Sequence, residues 1–164
     1  MDKLPKRKPY RLKDYDYSSD GAYFITICTK DKKPVLSKIS VGTSIARPSE
    51  IQLTKIGVIV EKGIQEISKH YRNVFVDSYV IMPNHIHIIL MIQNDSGRPM
   101  VVPTISRIIQ QFKGYVSKQA GKPIWQEKSY DHIIRDDYDY MVHLQYIEEN
   151  PAKWAEDKYC DKMD

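Results

Sequence analysis

Val74-Phe75-Val76-Asp77-Ser78-Tyr79-Val80-Ile81-Met82-Pro83-Asn84-His85-Ile86-His87-Ile88-Ile89-Leu90-Met91-Ile92 contains two apolar runs with one short break. The runs Val74 to Met82 and His85 to Ile92 have strand length and are rich in β-branched residues. Pro83-Asn84 fits a tight turn between antiparallel strands. Side chains in a strand alternate between faces, so His85 and His87 point one way and Ile86, Ile88 and Leu90 the other. The isoleucine face suits packing on helices. The histidine face looks toward whatever covers the second side of the sheet.

Further elements lie on either side. Ala22 to Thr29 is β-branched and aromatic and predicts a strand. Lys30 to Glu50 contains Pro34, Gly42 and Pro48 and reads as a long, partly irregular connection. Ile56, Ile59, Val60, Gly63, Ile64, Ile67 and Tyr71 mark one helix face, with Thr54 as its cap and His70 near its C-terminal dipole. After Asp95 to Pro99, residues Ile105, Ile108, Ile109, Phe112, Tyr115 and Val116 mark a second helix, preceded by Thr104 and closed by Gly121 and Pro123. His132 to Arg135 predicts a short strand, and Tyr138 to Glu149 a last helix stopped by Pro151. The first six elements follow the ferredoxin-like βαββαβ pattern, an α+β antiparallel sheet with both helices on one face. The last helix is extra and free to cover the other face.

A chain of 164 residues suits one domain with its own core. We divide it into a basic arm (1–20), a main domain (21–154) and a tail (155–164). No apolar run approaches the roughly 20 residues of a membrane span, and the basic N-terminus lacks the features of a secretory signal. Cys28 and Cys160 lie in no metal-type spacing, and Cys28 sits in an apolar run as expected of a buried thiol. These features predict a cytoplasmic, disulfide-free protein. Charge is uneven. Residues 1–13 carry six bases and one acid; residues 103–123 carry Arg107, Lys113, Lys118 and Lys122 with no acid; residues 124–164 carry five bases and eleven acids. A polyanion would meet a basic arm and a basic helix, although a solvated tail and an ordinary helix face give the same pattern.

Two imidazoles on alternate strand residues are able to grip one cation, and equally able to be hydrogen-bonded core or surface residues. A third ligand is needed, and His132 and His143 are candidates that could come close. The last helix offers another, because Tyr146 and Asn150, four residues apart, share a face. Val142 extends that stripe, while Met141, Leu144 and Ile147 form a neighbouring one suited to the core. A surface tyrosine followed by a capping asparagine is the alternative.

The string Tyr79-Val80-Ile81-Met82-Pro83-Asn84-His85-Ile86-His87 resembles the signature of the single-tyrosine transposases, within the superfamily of endonucleases named for a His–hydrophobic–His motif. Tyr146-Ile147-Glu148-Glu149-Asn150-Pro151 resembles the tyrosine-bearing helix of their REP-associated branch. Trp125-Gln126, Tyr130 to Asp136, Asp139-Tyr140, Arg7-Lys8-Pro9, Leu12-Lys13, Tyr15-Asp16-Tyr17 and Gly21 to Phe24 extend the likeness over roughly residues 7–154, with a looser stretch at 37–50. The resemblance implies that His85 and His87 bind metal, that Tyr146 is the nucleophile, and that Asn150 completes the metal shell where relatives of the insertion-sequence type usually carry glutamine. Tyr115 is a rival nucleophile, but it lies on the apolar period of its helix.

The mechanism so implied uses a divalent cation, Mg²⁺ or Mn²⁺, to offset charge on a phosphodiester of single-stranded or hairpin DNA. Tyr146 attacks, a 3′-hydroxyl leaves and the 5′-phosphate stays on tyrosine. A phenol has a pKa near 10 and needs activation, for which His143 is a candidate. Lys6, Arg7, Lys8, Arg11, Arg107, Lys113 and Lys118 supply phosphate contacts, and Tyr10 is a candidate for stacking on bases. The resemblance also raises a homodimer in which Tyr146 serves its own or a neighbour's histidines. Competing readings are a non-catalytic nucleic-acid-binding module of the same fold, a zinc hydrolase using the histidine pair, and a domesticated nickase with the same site.

Overall fold

Each long helix begins where a threonine side chain replaces a missing backbone partner. In the computed structural model, which describes residues 20–40, 50–93 and 104–156, the Thr54 hydroxyl accepts from the Gly57 amide at the start of α1 (Lys55–His70). Thr104 does the same for the Arg107 amide at the start of α2 (Ile105–Ala120). Gly121 ends α2 at φ 69°, in the left-handed region that glycine enters without steric cost.

The main sheet contains β1 (Gly21–Cys28), β4 (Val74–Ile81), β5 (His85–Ile92) and β6 (Tyr130–Ile134) in the order β4-β5-β1-β6. All neighbours are antiparallel. β5 thus sits between β4 and β1, which are joined through α1; this is the expected α+β ferredoxin-like arrangement. The Pro83-Asn84 link is the tight turn read from the sequence, closed by the Met82 amide donating to the His85 carbonyl at 2.9 Å. The final helix, α3 (Asp137–Glu149), is the added element, and a short 3-10 turn, Trp154–Glu156, follows it.

Alternation along the strands builds two cores. Tyr23, Ile25 and Ile27 of β1 and Ile86, Ile88, Leu90 and Ile92 of β5 face α1 and α2, where Ile64, Ile67, Ile108 and Phe112 meet them. On the opposite face, Phe24, Val80, Met82 and Ile89 pack with Ile147 of α3, flanked by Leu144, Tyr140 and Trp154. In β4 the alternation changes phase. The pairing with β5 shifts register between Val76 and Ser78, leaving Asp77 as an extra residue, so Val74 and Val76 but then Tyr79 and Ile81 join the larger core.

The structure departs from the sequence reading in several places. The connection from Lys30 to Glu50 is not wholly irregular: β2 (Ser37–Ser40) and β3 (Glu50–Leu53) pair as a separate two-stranded sheet whose Ile39 and Ile51 pack on the smaller core. Each strand is four residues long with a single half-buried isoleucine, too short for periodicity to register. β6 starts two residues earlier than expected because Tyr130 pairs with Thr26. Met141 is exposed rather than part of the packed seam, and Tyr115 is exposed at 37% while its ring edge lies over Gly63. Cys28 is half-buried.

Candidate active site

The site begins with the turn and register that fix two imidazoles. His85 opens β5 and His87 lies on the same face, both buried, with ring centroids 4.6 Å apart. Asn84, in the turn, bonds the His85 Nδ1 through its Oδ1 at 2.8 Å. An amide oxygen only accepts, so that Nδ1 carries the proton and the His85 Nε2 presents a lone pair. Pairing sets Thr26 of β1 directly opposite His87, and the Thr26 hydroxyl meets the His87 Nδ1 at 2.8 Å. Both Nδ1 atoms are thereby engaged. Nε2 of His85 and Nε2 of His87 are buried, and among the described residues the buried Oδ1 of Asn150 makes no hydrogen bond.

Helix α3 brings the other two residues to this face. Its N-terminus is capped by Asp136, whose carboxylate accepts from the Asp139 amide at 2.8 Å, and Asp137 and Asp139 favour the positive end of the helix dipole. Leu144 and Ile147 turn toward the sheet. One side of that seam carries Tyr146, whose ring lies 5.1 Å from that of His87 and 6.0 Å from that of Phe24. Tyr146 is 39% exposed and Asn150 only 3%, so one residue of the pair reaches solvent while the other is enclosed. Asn150 also occupies the C-cap position. Trp154 closes the floor, its ring 6.0 Å from His85. Within a single chain, therefore, Tyr146, His87 and His85 border one region of the second face, and Asn150 is buried one turn beyond Tyr146.

Polar latches hold α3 in place. The Tyr140 hydroxyl donates to Asp77 at 2.6 Å, using the carboxylate that the β4 bulge turns outward. That hydrogen bond, with burial and the nearby carboxylates, raises the Tyr140 phenol above its ordinary value. His132 of β6 donates from Nε2 to Asp139, 2.9 Å from Oδ2 and 3.1 Å from Oδ1. His143 Nδ1 lies 2.8 Å from the Asp139 carbonyl oxygen and 3.1 Å from its Oδ1, and the two imidazoles stack at 4.6 Å. Burial alone would raise the Asp139 carboxyl; the bonds from His132 and the Arg135 amide, with the two nearby imidazoles, outweigh it and leave the value lowered.

The basic residues fare differently. Arg107 and Lys118 are exposed on α2, which packs on the face of the sheet opposite Tyr146. Lys113 donates its ammonium to the carbonyls of Gln126 and Glu127 at 2.9 and 3.1 Å, and burial lowers its pKa. Lys6, Arg7, Lys8, Arg11 and Tyr10 lie outside the described residues, as does most of the 155–164 tail. Thr26 and Trp154 escaped the sequence reading: the first acts through strand register, the second through a turn beyond Pro151. Among the described residues no helix is long and apolar enough to cross a membrane.

No family model matches the chain. An uncharacterized protein of Haemophilus influenzae is 35% identical over 176 aligned residues, covering 94% of this chain and 94% of its own length. A second Haemophilus influenzae protein, named "Putative REP-associated tyrosine transposase", is 26% identical over 147 residues, 84% of this chain and 74% of the relative. The solved structure of a REP-associated tyrosine transposase bound to a REP hairpin has the same fold, with a TM-score of 0.64 at 21% identity, covering 90% of this chain and 76% of that one. Over most of its length the chain is thus similar to a relative named as a REP-associated tyrosine transposase, and it has the fold of a solved one.

Proposed function

We infer that the protein nicks and rejoins single-stranded or hairpin DNA, with Tyr146 as nucleophile and His85, His87 and Asn150 holding a divalent cation, Mg²⁺ or Mn²⁺. The observation that carries this reading is the 5.1 Å approach of the Tyr146 ring on α3 to the His87 ring on β5. The donor set fits a small divalent ion: two imidazole nitrogens and the Asn150 Oδ1, a buried oxygen whose desolvation an ion would offset. When bound, the cation supplies charge stabilisation at a non-bridging phosphate oxygen.

The chain's own groups do the rest. Thr26 and Asn84 orient the imidazoles. The exposed phenol of Tyr146 is reachable by an extruded strand. Its oxygen attacks phosphorus, the bond to the 3′-oxygen breaks, and that oxygen leaves as a hydroxyl after taking a proton. The 5′-phosphate remains on tyrosine, and attack by a second 3′-hydroxyl restores a phosphodiester and frees Tyr146. The covalent intermediate keeps the bond energy, so rejoining needs no nucleotide cofactor. Arg107 and Lys118, with the basic residues of the arm, contact DNA away from the cleaved bond. With chromosomal DNA as its substrate, the protein works in the cytoplasm at the nucleoid.

The hairpin held by the structural relative supplies the first substrate to try. Labelled hairpin DNA is incubated with the protein and Mn²⁺ and run on a denaturing gel. A covalent adduct is expected with the native chain, none with Tyr146→Phe, and a loss of at least about 100-fold with His87→Ala. An adduct of equal yield in Tyr146→Phe would end the nucleophile assignment. Cleavage without adduct, surviving that substitution, would turn the reading toward a metal-bound water.

A further inference from the structure

A second cluster of metal-type side chains lies outside the Tyr146 site. We propose that His132, Asp139 and His143 form a separate cation site for a borderline metal of the zinc class, clasping α3 to β6. The inference does not depend on the catalytic reading above.

Three observations carry it. The ligand atoms come from two elements, His132 from the strand and Asp139 and His143 from the helix one turn apart, and all lie within 4.8 Å of one another. The present spacings are already close to those of a coordination shell. His132 Nε2 is 2.9 Å from Asp139 Oδ2, and His143 Nδ1 is 3.1 Å from Oδ1. A tetrahedral ion with bonds of about 2.0–2.2 Å spaces its ligands about 3.3–3.6 Å apart, so each imidazole would move a few tenths of an ångström relative to the carboxylate to admit it. The side chains are 19–30% exposed, which leaves an entry path and room for a water as fourth ligand.

The donor chemistry selects the ion. Two imidazoles and one carboxylate are a ligand set that suits zinc and its neighbours. One dication also suits the stacked rings better than two protons do, because imidazolium rings 4.6 Å apart repel while both neutral rings share a single metal. On ligation the His143 Nδ1 gives up its bond to the Asp139 carbonyl and the His132 Nε2 its bond to the carboxylate, and the proton on each moves to the other nitrogen of its ring or to solvent. The result is a cross-link at the N-terminal half of the helix that carries Tyr146.

The test uses the full chain. Zinc is added to isotope-labelled native protein and the imidazole nitrogens are followed by NMR, while equilibrium dialysis counts bound ions in the native chain, His132→Gln, Asp139→Asn and His87→Ala. The proposal expects the His132 and His143 resonances to shift. It expects one fewer ion in His132→Gln and in Asp139→Asn, and an undiminished His132 and His143 response in His87→Ala. Zinc that perturbs only His85 and His87 in the native chain, or folded His132→Gln and Asp139→Asn variants with the native ion count, would show a hydrogen-bonded clasp and overturn it. The NMR arm needs no variant, so a misfolded substitution does not block the answer. If His132→Gln loses an ion and His87→Ala loses none, this site stands and the metal assignment at His85 and His87 fails.

Discussion

Thr26 shows how a residue outside any motif determines the behaviour of one inside it. Its hydroxyl meets the His87 Nδ1 at 2.8 Å and so leaves the other ring nitrogen as the one open to a ligand. Thr26→Val keeps the β-branched shape and removes that bond. Divalent-metal affinity is expected to fall about 10–100-fold, with the fold intact, by calorimetric titration with Mn²⁺. An unchanged affinity would mean that packing against Phe24, 5.1 Å away, holds the ring alone. The histidines themselves were legible because strand alternation puts positions 85 and 87 on one face, and the Tyr146–Asn150 pair because helices repeat at that step. Thr26 was not, since its partner is 61 residues away and only strand register reveals it. Asn150 sits at the helix stop before Pro151, as the capping reading expects, and its side-chain oxygen is buried.

At the level of elements, α1, α2, β1 and the β4–β5 hairpin could be read from periodicity and caps, because burial on one face writes a regular pattern. The β2–β3 pair and the β4 bulge could not. Asp77 interrupts the alternation of β4, and what it does is visible only once Tyr140 arrives from α3. The start of α1 has a similarly non-local constraint. A Cβ built on Gly57 would stand 2.0 Å from the Leu36 carbonyl oxygen, which in turn accepts from the Thr54 amide. Gly57→Ala is therefore expected to cost about 1–3 kcal/mol in denaturant unfolding, as the segment before β2 is pushed off the helix. A loss well below about 1 kcal/mol would mean that Leu36 relaxes freely. The α3 latch has a pH signature. Asp139 has a lowered folded value, so its stabilisation is fully present above the unfolded carboxylate value near 4 and is lost as pH falls through the folded one. Metal-free Asp139→Asn should show a shallower decline of stability below about pH 4 than the native chain. Parallel curves would remove Asp139 from that transition.

Among the described residues, the two faces of the sheet are covered unequally. The sheet's first face is sealed by two helices with five buried residues each, whereas α3 buries Ile147 alone and depends on Tyr140–Asp77 and Asp139–His132 for the rest of its hold. The general architecture was legible from the order of elements. The thinness of the second layer was not, because Met141 and Val142 look as suitable for a core as Leu144 and only the docked helix shows them exposed.

This asymmetry has a kinetic consequence. Amide protons of α3 should be replaced by deuterium at least about 10-fold faster than those of α1 and α2, through an opening that leaves the four-stranded sheet intact. On the proposed reading, such an opening would carry the Tyr146 oxygen away from the imidazoles and back again, giving a DNA strand time to thread between them. Protection in α3 equal to that of α1 would mean that the strand must enter a site that never parts.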